Sequence, residues 1–169
     1  MKCKLGILRK LHHSERGGAL AELAIVVPFL AVMLAGVSEF GRFFQNYTTL
    51  AKATRSASRY LSNHALNATE LTRAQNLVVC GKLTCASGEE LVKGFSATNH
   101  VCIETTGAPV TSVTVRIPRI SDCNPTAGSN AATPFAYQPI FNIGALLHDA
   151  GFNMAVPISP STTMFYMAN

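Results

Sequence analysis

The hydrophobic pattern of the chain is dominated by one continuous apolar run near the N-terminus. From Ala19 to Val37 only Glu22 is charged. A helix rises about 1.5 Å per residue, so this run is just long enough to cross a hydrocarbon core of roughly 30 Å. The pattern therefore predicts a membrane-spanning helix over residues 19–37.

After this run the apolar residues recur at intervals of three and four, which is the period of an amphipathic helix. The predicted N-terminal helix therefore continues, covering residues 18–61, and its outer half is expected to pack against a folded domain. Pro28 removes one helical hydrogen bond and is expected to kink the helix. The residues that carry the period are Phe40, Phe43, Phe44, Tyr47, Leu50, Ala51, Thr54, Ala57, Ser58 and Leu61.

Residues 62–169 show the mixed pattern of a small α+β domain with an antiparallel sheet of about 3–4 strands. A second helix is predicted over Thr69–Val79, ended by Gly81. Alternating apolar positions predict strands over His100–Thr105 and Val110–Ile117, and the stretch Asp122–Pro134 is predicted to be a loop. The remaining predictions are a short helix over Phe141–His148 and a terminal hairpin formed by Phe152–Pro157 and Thr162–Met167 around Ser159 and Pro160.

The net charge of +5 is concentrated at the N-terminus, because residues 1–17 contribute +4 of it. The rest of the chain is nearly neutral and has no clustered basic patch in its sequence, which argues against nucleic-acid binding. Basic residues before a first membrane run keep that end in the cytoplasm, so the domain after Ser38 is expected on the far side. A cleaved secretory signal is the weaker alternative, with Ala31–Gly36 as its cleavage region.

Four of the five cysteines, Cys80, Cys85, Cys102 and Cys123, follow the apolar run. An even set in an oxidising compartment indicates two disulfides, for which three connectivities are possible. Pairing Cys80 with Cys85 and Cys102 with Cys123 is favoured, because each pair brackets a turn-rich stretch. A four-thiolate zinc site is the alternative, and the absence of a C-x-x-C spacing argues against it.

The run from Arg16 to Pro28 resembles the start of TadE-like pseudopilins, which belong to the tight-adherence branch of type IV pili. Their second block resembles Glu39, Phe40, Gly41 and Arg42 at the end of the apolar run. The resemblance implies that a prepilin peptidase removes residues 1–17 by cutting between Gly17 and Gly18, which makes Glu22 the fifth mature residue. It also implies an inner-membrane assembly platform and sister pseudopilins as partners.

A carboxylate in a lipid-facing run costs on the order of 2.5–3.5 kcal/mol on insertion scales, so Glu22 needs a reason to be there. Cleavage creates a new α-amine, and a carboxylate on a neighbouring subunit can pair with that amine and offset the burial of both charges. Glu22 would then set the axial register between subunits. The alternative is that Glu22 lies near enough to the interface to reach water.

No sequence motif for phosphate, dinucleotide or metal-dependent catalysis is found, and the neighbouring His148 and Asp149 do not share a helix face. The sequence therefore predicts a protein without enzymatic activity, metal or cofactor. Together with this, the resemblance to TadE-like pseudopilins implies a structural role as a minor pilin of the tight-adherence pilus, anchored in the bacterial inner membrane. Two alternatives stay open. One is an uncleaved single-pass protein with a periplasmic binding or sensor domain, and the other, for which no catalytic set is found, is a secreted enzyme.

Overall fold

The computed structural model describes residues 15–119, 123–124, 133–141 and 155–168. Helix α1 runs from Glu15 to Ser62 and continues through Pro28. This confirms the long N-terminal helix predicted from the apolar run and the three-four period. The chain forms two compact units, the first ending at Phe40 and the second beginning at Gly41. The outer part of α1, residues 41–62, therefore belongs to the second unit.

Helix α2 runs from Ala68 to Cys80, close to the predicted bounds. It begins where the side chain of Asn67 accepts a hydrogen bond from the backbone N–H of Glu70 at 2.9 Å, an N-cap that satisfies a free donor of the first turn. It ends at Gly81, which has a φ of 70° and donates its N–H to the carbonyl of Leu77. Glycine adopts this left-handed conformation without the penalty that a Cβ imposes.

A short helix, α3, runs from Ala97 to His100 and leads into strand β1, Cys102–Thr106. The predicted strand therefore begins two residues later than expected, and His100 is helical instead of extended, since Ser96 caps the turn through Asn99. Strand β2, Ser112–Arg116, pairs antiparallel with β1. Val113 and Val115 are buried on one face of β2, as the alternating pattern predicted.

The described residues contain three more strands: β3 is Ala136–Tyr137, β4 is Val156–Pro157 and β5 is Ser161–Phe165. One sheet has the order β1-β2-β5 and a second pairs β3 with β4, both antiparallel. The helical and antiparallel elements confirm the α+β class. The predicted terminal hairpin is wrong, because β4 and β5 pair with β3 and β2 instead of with each other.

The core of the second unit lies between the outer part of α1, helix α2 and the inner face of the larger sheet. From α1 it receives Leu50, Ala53, Ala57 and Leu61. Polar side chains of α1 also reach the last strand: the hydroxyl of Ser58 donates to the carbonyl of Thr162 at 3.0 Å. The N–H of Met167 donates to the carbonyl of Ser62 at 2.8 Å, so the residues that follow β5 are joined to the end of α1.

The predicted leader, residues 1–17, lies outside the described residues except for residues 15–17. Two predicted elements of the second unit also fall mainly outside the described residues. Of the predicted helix Phe141–His148 only Phe141 is described. Of the predicted loop Asp122–Pro134 the structure describes residues 123–124 and 133–134, which have no regular secondary structure.

Candidate functional site

The apolar part of α1 exposes nearly all of its side chains. Its large apolar residues between Leu20 and Phe40 are exposed, and none of its most apolar stretch is buried. A helix that is apolar on every side needs a non-aqueous environment or other helices around it. By length and composition α1 can cross a membrane, in agreement with the sequence prediction.

Glu22 lies on this exposed apolar surface, one helical turn after Gly18. Residues four apart lie on the same helix face, so the predicted first mature residue and the acid share one face of α1. A Cβ placed on Gly17 or Gly18 would meet no atom within 4 Å. Both glycines are thus sterically open within the chain.

The block after the predicted membrane span, Glu39–Arg42, is called the post-membrane block. It includes the last residues of the first unit and the first residues of the second. Glu39 and Phe40 end the first unit, while Gly41 and Arg42 begin the second. Phe40 is exposed, and a Cβ on Gly41 would meet no atom within 4 Å. Arg42 is exposed and lines a cleft of the second unit.

The four cysteines after the apolar run lie in the two pairs that the sequence favoured. The Cα atoms of Cys80 and Cys85 are 5.8 Å apart and those of Cys102 and Cys123 are 5.9 Å apart, and each pair is joined as a disulfide. Cα atoms of bridged cysteines usually lie 4.4–6.8 Å apart, roughly the range found here. Sulfurs joined in disulfides are not the thiolates that a structural zinc site requires.

Glu104 lies beside the second disulfide, within 4.8 Å of the sulfurs of Cys102 and Cys123. Its carboxylate already accepts a hydrogen bond from Arg116 at 2.8 Å and one from the backbone N–H of Asn124 at 2.9 Å. The carboxylate charge is thus matched by a guanidinium across the β1–β2 pair. This arrangement is an ion pair next to a disulfide, and it does not call for a metal ion.

The second unit also contains a cleft of about 690 Å³ that sequence analysis did not find. Its described lining comes from the start of the outer part of α1, from residues 91–94, from His100 and from the β3 region. These parts of the chain are far apart in the sequence, so no local motif marks the cleft. The signals that existed were Arg42, already part of the post-membrane block, and the aromatic pair Phe135 and Tyr137.

His100, one of the cleft residues, is packed between two aromatic rings and makes a hydrogen bond to the backbone. Its ring stacks on Phe95 with centroids 5.4 Å apart and meets Phe135 edge-on at 5.2 Å. Its Nδ1 accepts a hydrogen bond from the backbone N–H of Ser96 at 3.1 Å. Burial among these groups lowers the pKa of His100, because a charged imidazolium is poorly solvated there. The neutral form, with its proton on Nε2, fits this geometry.

The described parts of the chain define a class of protein: a single apolar N-terminal helix that continues into a disulfide-bonded α+β unit. Comparison with known families then gives a more particular assignment. Residues 17–59 match the family model described as TadE-like protein. The resemblance predicted from Arg16–Pro28 and Glu39–Arg42 is thereby confirmed for this quarter of the chain, which ends within α1.

No curated protein and no solved structure matches the chain.

Proposed function

We propose that this protein is a minor pilin, or pseudopilin, that takes part in assembling or initiating a tight-adherence type IV pilus. The observation that carries the proposal is an exposed apolar helix with one acid, Glu22, shortly after Gly17 and Gly18, inside the segment that matches TadE-like proteins. This combination supports a helix that is inserted in lipid and later packed among other subunits.

In this proposal a prepilin peptidase cuts between Gly17 and Gly18, and the new α-amine at Gly18 meets the Glu22 carboxylate of an adjacent subunit. Each charge would be costly alone in an apolar setting, whereas the pair satisfies both. The same requirement fixes how far one helix is displaced along its neighbour. The partners are therefore the peptidase, the inner-membrane assembly platform, sister pilins and membrane lipid.

The proposed location is the bacterial inner membrane, with a single span, residues 1–17 in the cytoplasm before cleavage, and the second unit in the periplasm or the pilus. The basic residues at the N-terminus support this orientation. The two disulfides support it as well, since they form and persist in oxidising compartments. A structural role without a catalytic residue, cofactor or bound metal is part of the proposal.

The decisive experiment separates processing from assembly. We expect Glu22→Gln to insert in the membrane, since it removes a charge from an apolar helix, but to lose co-purification with sister pilins. Glu22→Asp keeps the charge and is expected to retain part of the assembly. The matched control is Glu90→Gln, an exposed acid of the second unit. If Glu22→Gln assembles as the unmodified protein does, the pairing mechanism is wrong.

The alternative function, an uncleaved single-pass binding or sensor protein, is favoured by one observation, the cleft of about 690 Å³ in the second unit. Intact mass of the membrane-extracted protein distinguishes the two functions. A pilin is expected to begin at Gly18 when the peptidase is present, and Gly17→Val is expected to remain unprocessed. A native protein that still begins at Met1 would support the alternative.

A further inference from the structure

The cleft of the second unit has an uneven charge. Arg42 and Lys93 line it, and among the described lining residues there is no carboxylate. Within the described parts of the chain, the salt bridges involve Arg73, Lys82 and Arg116, and neither cleft cation takes part in one. Two cations of one sign that share a cleft attract an anion.

The rest of the lining combines amide groups with apolar surface. Gln45, Asn46 and Gln138 are among the lining residues, and side-chain amides of this kind can hydrogen-bond hydroxyl and phosphate oxygens. Leu91 and Ile140 also line the cleft and expose large apolar side chains to solvent. A ligand that satisfies all of these groups has an anionic end, hydroxyl groups and an apolar part, which is the chemistry of an amphiphile.

The position of Arg42 in the sequence adds a further argument. Arg42 follows Val37, the last residue of the predicted membrane span, by five positions in α1. At about 1.5 Å per residue this is about 7–8 Å of helix, whereas the headgroup region extends about 5–8 Å beyond each side of the hydrocarbon core. A cation at that point of a spanning helix is at the level of lipid phosphates.

We propose that this cleft binds the headgroup phosphate of an anionic phospholipid, with Arg42 and Lys93 contacting the phosphate and the amide side chains contacting headgroup hydroxyls. The guanidinium of Arg42 offers paired donors that match two phosphate oxygens, and Lys93 supplies a point charge. The inference rests on the proposed membrane anchoring and is independent of whether the subunit enters a pilus. It gives the arginine of the post-membrane block a function of its own.

The test is native mass spectrometry of the full-length protein in a neutral detergent, titrated with phosphatidylglycerol. Phosphatidylcholine with the same acyl chains and soluble glycerol 1-phosphate serve as the two comparison ligands. We expect one phosphatidylglycerol to be retained, with weaker retention of the zwitterionic lipid. Replacing both cations by Arg42→Gln and Lys93→Gln should weaken binding about tenfold or more, since hydrogen bonds to charged groups are among the strongest.

The matched control carries Lys52→Gln and Arg55→Gln, which remove an exposed lysine and an exposed arginine of α1 that do not line this cleft. This control should bind phosphatidylglycerol as the unmodified protein does. Circular dichroism confirms that each variant is folded. Equal loss in both double variants would reduce the effect to net charge and overturn the site.

Two other outcomes would also overturn the proposal. Equal binding of phosphatidylglycerol and phosphatidylcholine, unaffected by Arg42→Gln and Lys93→Gln, would show that the cleft does not select the anion. Stronger binding of glycerol 1-phosphate than of the lipid would identify a soluble phosphate compound as the ligand. Failure of the pilin function is read separately, from the N-terminus and from co-purification with sister pilins, so neither failure can be mistaken for the other.

Discussion

Residues 19–37 and residues 43–61 belong to the same helix, yet they bury their side chains in opposite ways. Leu34, in the first part, is 69 % exposed, whereas Leu61, in the second part, is 0 % exposed. The first part is apolar on all sides, and the second has one apolar stripe that faces the core of its own unit. A leucine in the first part therefore contributes to the free energy of membrane insertion or subunit packing. A leucine in the second part contributes to the free energy of folding of its unit.

The largest expected difference between the two parts comes from truncating a leucine in each. Leu61→Ala should lower the free energy of unfolding of the second unit by about 2–5 kcal/mol, since it leaves a cavity in the core. Leu34→Ala should change it by less than about 0.5 kcal/mol, because exposed positions contribute little to folding. Denaturant unfolding in neutral detergent, followed by circular dichroism, measures both.

Equal effects of the two leucine variants would break the comparison. Such a result would mean that residues 19–37 pack against the domain in the folded protein. Carbonate extraction of membranes provides the complementary control, because both variants should remain in the membrane fraction.

The second prediction concerns the disulfides, both of which lie in the second unit. Replacing Cys102 and Cys123 by serine opens a bridge with a sequence separation of 21 and should cost about 3 kcal/mol of stability on the loop-entropy account. The Cys80–Cys85 bridge spans only 5 residues, so its loss should cost about 1 kcal/mol less. Unfolding with and without reductant measures the two costs.

Membrane fractionation sharpens the disulfide test, since the apolar part of α1 carries no cysteine. Reduction should leave membrane retention unchanged while the domain loses stability. Release of the reduced protein from the membrane would contradict a separate role for the two parts.

A third, smaller effect is expected at the N-cap of α2. Asn67→Ala removes the acceptor for the Glu70 N–H and should destabilise the second unit by about 1 kcal/mol, whereas Asn67→Ser keeps an acceptor and should be nearly neutral. Thermal unfolding of the two variants provides the measurement. If both lower the midpoint equally, the cap contributes nothing and the loss has another cause.

The smallest effect is a pH dependence set by His100. Burial lowers the pKa of His100 below its usual value, so the folded state binds this proton less readily than the unfolded state. As the pH falls, the unfolded state takes up this proton first. The free energy of unfolding is therefore highest above a pH of about 6.5 and decreases as the pH falls below it. Arg42 and Lys93 line the same cleft as His100. The described lining contains no carboxylate that would stabilise the imidazolium.

Unfolding at a pH of about 7.5 and about 5.5 measures this loss, and His100→Gln should reduce the difference between the two values. His64→Gln is the matched control, since His64 is exposed and lies outside the cleft. An unchanged pH dependence in His100→Gln would remove His100 as its source.

The sequence predicted those parts of the fold that depend on local pattern. The three-four period predicted α1 and α2 to within a few residues, and Gly81 predicted the end of α2. The alternation that includes Val113 and Val115 predicted the inner face of β2. These features are local because a helix forms its backbone hydrogen bonds within itself and a strand shows its two faces by period two.

Strand pairing and the cleft could not be predicted in this way. Strand β5 pairs with β2, about 50 residues earlier in the chain. The residues of Thr162–Met167 alone do not show whether this segment pairs with β2 or with β4. Strands β3 and β4 have only two residues each, too short to show a period. The cleft depends on bringing Arg42, Lys93 and Tyr137 together, which only the tertiary structure does.

The hydrogen bonds between α1 and the C-terminal part of the chain have a consequence for biogenesis. Thr54 and Thr162 face each other with hydroxyl oxygens 3.5 Å apart, although 108 positions separate them in the chain. Before such a contact can form, the long intervening chain must be ordered, which costs loop-closure entropy. Contacts between distant parts of a chain therefore slow folding. The outer part of α1 therefore cannot complete its packing until β5 has been synthesised, and a chain that stops before Ser161 lacks the strand that pairs with β2.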